Sequence, residues 1–577
     1  MLTKWGKSLD KNLPLPEYPR PQLRREKWLC LNGPWDYAIT RTGMPPERWD
    51  GKIIVPYSPE AALSGVGRNL GPEEYLWYRR PIRRPEGWDG GHVLLHFGAV
   101  DQEALVWLNG VTVCAHTGGY LPFSADVTDL LRDDNTLLVR VRDRSERADH
   151  SRGKQKSVPG GIWYTPQSGI WQTVWCEWTP EVYIKSLQIT PDLDAGTVRL
   201  QVQLSSPARV QVIAEEKGGE PAAVGWFDGA GRCELKLSRT HPWTPDDPYL
   251  YGLRLTVQGD GPQDVVESYF AMRKCSVEAD EDGVPRLFLN GRPCFHNGLL
   301  DQGYWPDGLY TPPADDAMVF DIETAKSMGF NMLRKHVKVE PLRWYYHCDR
   351  LGMLVWQDMP NGGGRYDPLV VSAPLVTGRH LRDDRYRLFG RQRADGRRTF
   401  TQELRDMVAH LYNCPCIVMW VPFNEGWGQF DAERNAEALL ELDATRTVDH
   451  ASGWHDQGIG DVQSLHVYFK KYRYRPDPLG RAVLLTEFGG YGWHIPGHAW
   501  SAKAFGYKKC RTEQELEAAL WKLYAEQIRP AACQGLAAAV YTQLTDVETE
   551  TNGLVTYDRE LVKLPPEHVR QIVSTQL

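Results

Sequence analysis

Long apolar runs are missing from this sequence. No stretch approaches 18 uncharged apolar residues, and the opening Met1-Leu-Thr-Lys-Trp-Gly-Lys-Ser8 has no apolar core of the secretory kind. A cytoplasmic protein without membrane partners is therefore expected. An excess of positive charge is also missing. With 67 Lys and Arg against 74 Asp and Glu, the net charge is -7, and no basic stripe is left for nucleic acid. A disulfide framework is missing too: the 11 cysteines are odd in number and follow no regular spacing. Cys30, Cys176, Cys414 and Cys416 sit in apolar runs and read as buried thiols of a reducing compartment. Cys414-Pro-Cys416 has one residue between its cysteines where zinc ribbons need two to four, so no metal is expected. A Walker loop, a dinucleotide glycine fingerprint, His-Glu-x-x-His and Gly-x-Ser-x-Gly are all absent, and with them any expectation of a cofactor.

Aromatic residues are abundant instead, with 22 Trp and 26 Tyr. Most suit the cores of β-sandwiches, and a few suit stacking on sugar rings. The first third of the chain alternates short apolar strands with Gly, Pro and Asn turns. Ala104-Leu-Val-Trp-Leu108 leads into the turn Asn109-Gly110, and Thr136-Leu-Leu-Val-Arg-Val141 follows. Residues 1–180 are read as a jelly-roll β-sandwich. Residues 181–276 repeat the period-two alternation, as in Thr197-Val-Arg-Leu-Gln-Val-Gln-Leu204, over a length that suits an immunoglobulin-like sandwich.

Near residue 280 the pattern changes to alternating helix and strand. Asp315 to Met328 predicts a helix stopped by Gly329, and Phe330 to Arg334 a strand. Pro341 to Leu351 predicts a helix and Met353 to Gln357 a strand. Phe400, Leu404, Met407, Val408 and Leu411 mark one helix face ahead of a strand from Ile417 to Phe423, and Thr512-x-x-Glu515 is a capping box. Residues 277–577 thus read as a (β/α)8 barrel, in which chemistry sits at the C-terminal ends of the strands. Two strands end in a carboxylate: Trp420-Val-Pro-Phe-Asn-Glu425 and Val483-Leu-Leu-Thr-Glu487. Two further strands, Thr447 to Ser452 and Ser464 to Tyr468, lie between them, so the glutamates project from strands three apart. One such glutamate is more often a salt-bridged or surface residue. A pair, each closing an apolar strand and followed closely by Gly, fits glycoside hydrolysis with retention, where one carboxyl attacks the anomeric carbon and the other protonates the leaving oxygen.

Nearly the whole chain resembles glycoside hydrolase family 2, the family of β-galactosidases, β-glucuronidases and β-mannosidases. The likeness rests on Tyr18-Pro-Arg-Pro21, Leu31-Asn-Gly-Pro-Trp35, Trp77-Tyr-Arg79 and Gly161-Ile-Trp-Tyr-Thr-Pro-Gln-Ser-Gly-Ile-Trp171 in the first domain. In the barrel it rests on Gly329-Phe-Asn-Met-Leu-Arg334, Cys348-Asp-Arg-Leu-Gly352, Asn424-Glu425 and Thr486-Glu-Phe-Gly489. The resemblance implies Glu425 as acid/base, Glu487 as nucleophile, Asn424 on the sugar 2-hydroxyl, and Tyr468 and Arg334 on the nucleophile. His466 lines or supports the pocket, and Trp427, Trp454 and Trp305 are stacking candidates. Asp301 and Gln302 are placed on sugar hydroxyls, and His336 sits one position earlier than the family's usual Arg-x-x-His. Asn552 lacks the Lys of the β-glucuronidase Asn-x-Lys, which disfavours a glucuronide, and Tyr541-Thr-Gln543 replaces the usual Trp-Asn pair. The expected function is a retaining exo-β-glycosidase, most nearly β-galactosidase-like, with a carbohydrate substrate and room for a homo-oligomer. A furanosidase or pentosidase with the same two glutamates, and an inactive carbohydrate-binding homologue, are the competing readings.

Overall fold

The computed structural model describes residues 1–574 except 230 and 260. Its N-terminal sandwich is built from two antiparallel sheets. One has six strands in the order Gly51–Val55, Gly33–Thr40, Tyr75–Arg83, Asp134–Arg142, Glu103–Leu108 and Val111–Thr117. The other has four, in the order Trp28–Cys30, Val174–Thr179, His92–Phe97 and Phe123–Asp126. Alternation decides which face is buried: Asn135, Leu137, Val139 and Val141 turn inward along one strand while their neighbours face out. Trp35, Phe97, Val106 and Ile170 fill the space between the sheets. The Asn109-Gly110 turn forms as expected, with both residues at positive φ (52° and 84°), the condition a tight hairpin imposes.

A second sandwich pairs Ile184–Asp192, Thr197–Leu204 and Gly231–Lys236 against Pro221–Asp228, Arg209–Glu215, Tyr251–Gln258 and Val265–Phe270. The small sheet Cys275–Ala279, Pro285–Leu289 and Arg292–Pro293 comes next, an element the periodicity did not announce. Leu287 and Leu289 pack into one cluster with Leu300, Met332, Leu354 and Ala482, and Arg286 donates to the carbonyls of Ala532 and Leu536. The hairpin thus plugs the N-terminal end of the barrel.

The barrel strands are β1 (His296–Asp301), β2 (Met332–Lys335), β3 (Leu354–Asp358), β4 (Ile417–Val421), β5 (Thr447–Val448), β6 (Val462–Val467), β7 (Ala482–Gly489) and β8 (Leu536–Thr542). They pair in parallel in the order β5-β4-β3-β2-β1-β8-β7-β6, with helices such as Asp315–Ser327, Leu342–Leu351 and Ala394–Leu411 packed outside. Between β5 and β6 no ladder forms. Ser464 closes that seam with its side chain, donating from Oγ to Asp449 (2.8 Å) and accepting from Gly453 N (3.3 Å). The strand expected from Thr447 to Ser452 is regular only at its start. Its end stays alongside β4, because Ser452 N donates to Phe423 O (2.9 Å) and Glu425 N to Ser452 O (3.0 Å). The Thr512 cap holds Glu515 N at 3.2 Å, but the Glu515 carboxylate reaches Arg511 N rather than Thr512 N. Among the described residues no helix is long and apolar enough to cross a membrane.

Candidate active site

The chain after β4 turns sharply. Glu425 has φ +49°, and Gly426 and Gly428 follow at +71° and +68°. A Cβ on Gly428 would meet the Gly362 carbonyl at 2.2 Å, so only glycine fits this close approach. Glu425 itself has a Cβ and accepts the left-handed conformation at a cost of about 1 kcal/mol or more, the kind of strain found where a side chain must be aimed. The turn carries the Glu425 carboxylate inward, where it is 8% exposed. Glu487 lies within β7 and is 5% exposed.

His466, on β6, stands between the two. Its Nδ1 is 2.8 Å from Glu425 Oε1, and its Nε2 is 3.7 Å from Glu487 Oε1. One oxygen of each glutamate and one nitrogen of His466 lie within 4.8 Å of one another. When Glu425 is protonated its O–H donates to Nδ1, leaving the ring proton on Nε2, which faces Ser452 Oγ at 3.3 Å. When Glu425 is ionised Nδ1–H donates to it instead, and Nε2 accepts from the Arg334 guanidinium at 3.5 Å. The ring tautomer therefore follows the charge on Glu425.

Arg334, next to last in β2, is fully buried and ties the remaining groups together. It makes a two-pronged ion pair with Asp358 (3.0 Å each) and donates to Asn424 Oδ1 (2.8 Å), Thr486 O and Glu487 Oε1 (both 3.2 Å). Tyr468 donates to the other Glu487 oxygen, and Tyr507 stacks on the Tyr468 ring at 3.8 Å. His336 Nδ1 lies 2.8 Å from Asp358, and burial holds this imidazole well below its ordinary pKa. Asn424 leaves its buried Nδ2 without any partner.

These surroundings separate the two carboxylates in pKa. For Glu425 burial raises it, the His466 hydrogen bond opposes the rise, and the Glu487 charge adds to it. For Glu487 burial also acts upward but is overcome by His466, Arg334 and Lys154, which hold this group well below the usual carboxylate range. Glu425 thus holds its proton to higher pH than Glu487, the order that an acid and a nucleophile need at one anomeric centre. Tyr468→Phe removes a donor from the ionised form. It is expected to lower kcat about 10- to 100-fold and to move the acidic limb of the kcat/KM profile to higher pH, as a pH series checks.

Not every expected residue joins this cluster. Trp427 packs edge-on against His336 (5.9 Å) and beside Trp163 (5.2 Å), and Trp454 lies 6.3 Å from the His466 ring. Asp301 is engaged elsewhere, accepting from Lys335 Nζ (2.7 Å) and Gly303 N (2.9 Å). Gln302 donates to Gln543, which donates to Asn552, which in turn donates to Glu550. Trp305 packs against Arg559 and Trp5. Asp358 closes the apolar strand β3 and is absent from the expected set, whereas Glu425 stands four residues beyond the end of β4 and Glu487 two residues before the end of β7. Lys154 and Tyr507 reach the site from segments that carried no such signal.

The comparisons agree with this architecture. The family description "Glycosyl hydrolases family 2" matches residues 182–273, "Glycosyl hydrolase 2 galactose-binding domain-like" residues 69–182, and "Glycosyl hydrolases family 2, TIM barrel domain" residues 307–484. The chain belongs to glycosyl hydrolase family 2, whose members act on O-glycosyl bonds. It is 23% identical over 442 residues to a β-galactosidase of Thermoanaerobacter pseudethanolicus, covering 72% of this chain and 54% of that protein. It is also 23% identical over 454 residues to a β-glucuronidase of Felis catus, covering 71% of this chain and 65% of that one. It therefore spans less than two thirds of both curated relatives. A β-D-glucuronidase structure from Dictyoglomus thermophilum shares the fold at a TM-score of 0.75, with 18% identity over 97% of this chain and 99% of that one.

Proposed function

We propose that this protein is a retaining exo-β-glycosidase in which Glu487 attacks the anomeric carbon and Glu425 serves first as acid and then as base. The observation that carries this reading is the buried pair itself. Two carboxylates of unlike pKa have oxygens within 4.8 Å, a spacing suited to direct attack, whereas an intervening water in an inverting reaction needs a gap of roughly 6.5–9.5 Å.

Each neighbour then has a task. Arg334 and Tyr468 hold the Glu487 carboxylate ionised and oriented. Asn424, its oxygen fixed by Arg334, presents a free N–H to the sugar 2-hydroxyl, where contact strengthens as charge develops. His466 accepts a hydrogen bond from the Glu425 carboxyl in the resting site and yields that O–H to the glycosidic oxygen once substrate arrives. Both glutamates keep their supporting partners, which speaks against a purely sugar-binding homologue. Of the finer specificities, a β-galactosidase-like activity is proposed from the sequence, and β-glucuronidases stand beside β-galactosidases among the relatives.

A panel of nitrophenyl β-glycosides, with pyranosides, furanosides and pentosides represented, tests the reading. Wild type is expected to turn over at least one of them and Glu425→Ala and Glu487→Ala almost none. Proton NMR of the first-formed sugar should show the β-anomer. Inactivity across the panel, or release of the α-anomer, would overturn the proposal.

A further inference from the structure

Lys154 is a cation with no direct ion-pair partner among the described residues. It belongs to the N-terminal sandwich yet is only 5% exposed. Among the described residues its Nζ makes no salt bridge within 4.0 Å and no hydrogen bond, in contrast to the buried Lys335 and Lys338, which both pair with Glu340. Its nearest recorded neighbours are ring faces, Tyr164 at 5.5 Å and Trp427 at 5.7 Å. Because the ammonium is not among the sealed, unsatisfied polar atoms, the little surface the residue keeps includes this group. Trp427 follows Glu425 by two residues and packs against His336 at 5.9 Å, so the ammonium facing its ring stands at the wall of the site, where its charge favours the ionised form of Glu487.

An ammonium has three donors and pays heavily for losing water unless acceptors replace it. The aromatic rings offset part of that cost, but they cannot accept three hydrogen bonds. The segment carrying Lys154 adds to the positive field at this wall. Arg152 stacks on Tyr366 at 5.2 Å and Lys156 on Trp163 at 4.2 Å, and Trp163 leans on Trp427. The guanidinium of Arg334 is already filled by Asp358, Asn424 and Glu487, so beside the neutral Asn424 amide Lys154 is a charged donor left open to a ligand. A single open ammonium suits a monovalent carboxylate better than a sulfate or phosphate, which favour several converging donors.

Resting on the glycosidase reading above and replacing only its β-galactosidase-like specificity, we propose that Lys154 binds the carboxylate of the sugar being cleaved, and that the substrates are β-hexuronides. The cation comes from the sandwich rather than from the stretch after Asn552, where Asn552 is spent on Glu550 and Gln543. The absence of a Lys there thus leaves the pocket with a different source of charge.

The test compares matched nitrophenyl pairs: β-D-glucuronide with β-D-glucoside, and β-D-galacturonide with β-D-galactoside. Wild type is expected to prefer the uronide by kcat/KM in at least one pair. Lys154→Met should cut that uronide-to-neutral ratio by about 30-fold or more, and Lys154→Arg should restore part of it. The ratio cancels losses common to both substrates, such as partial misfolding. Preference for the neutral sugar in both pairs, or an unchanged ratio in Lys154→Met, overturns the proposal while leaving the glycosidase reading intact. If wild type cleaves no β-glycoside of any kind, both fall together.

Discussion

Glu487→Gly is expected to lose at least about four orders of magnitude in kcat. Sodium azide should restore turnover and yield the α-glycosyl azide, whose configuration is inverted from the substrate. The ionised Glu487 carboxylate is held by Arg334 at 3.2 Å and by Tyr468, so its removal empties a cationic slot next to the anomeric carbon. A small anion can occupy that slot and attack from the same face, and with no second displacement the product stays inverted. Removing one partner of a buried ion pair also destabilises the fold. Arg334 keeps its two-pronged pairing with Asp358, however, so the variant should remain folded, as a thermal melt would show. A folded variant that azide cannot rescue, or one that yields the β-azide, would take the nucleophile role away from Glu487.

Glu425→Gln is expected to separate substrates by leaving group. Poor leaving groups such as phenol need a proton, and kcat/KM for them should fall about 10³-fold. A dinitrophenyl glycoside needs none and should keep kcat/KM within about tenfold of wild type. Its kcat should still drop, since hydrolysis of the glycosyl-enzyme requires Glu425 as base. The pH dependence follows from the directions of the two shifts. Glu425 has a raised pKa and must be protonated, so activity is present below that pKa and is lost as pH rises through it. Glu487 has a lowered pKa and must be ionised, so activity is lost only as pH falls through that low value. Wild type should therefore show a bell whose alkaline limb disappears in Glu425→Gln with the dinitrophenyl substrate. Persistence of that limb would assign it to another group.

Much of this arrangement was legible in the residues alone, for identifiable reasons. Period-two alternation such as Thr197 to Leu204 marks a half-buried strand wherever it occurs, and glutamates at or just beyond the C-terminal part of apolar runs point into a barrel mouth. Arg334 was legible on the same grounds, as a charge at the C-terminal part of a buried strand. Side chains that arrive from distant segments were not. Lys154 crosses from another domain, and Tyr507 stacks on Tyr468 from a loop outside the barrel strands, so neither carries a local pattern. Asp301 fits the strand-end rule as well as the glutamates do, yet Lys335 claims it, a pairing that depends on the lysine at the end of the neighbouring strand β2. Trp305 shows the same limit: an aromatic after a barrel strand is as readily taken by a nearby arginine as by a sugar.

The division of labour between the two glutamates is tested most directly by trapping the covalent intermediate. A 2-deoxy-2-fluoro glycoside with a dinitrophenyl leaving group, made from whichever sugar the enzyme turns over, should inactivate it with one equivalent bound. Peptide mapping by mass spectrometry should then place the sugar on Glu487. A label on Glu425, or turnover of an active substrate with no glycosylated residue anywhere, would contradict that assignment.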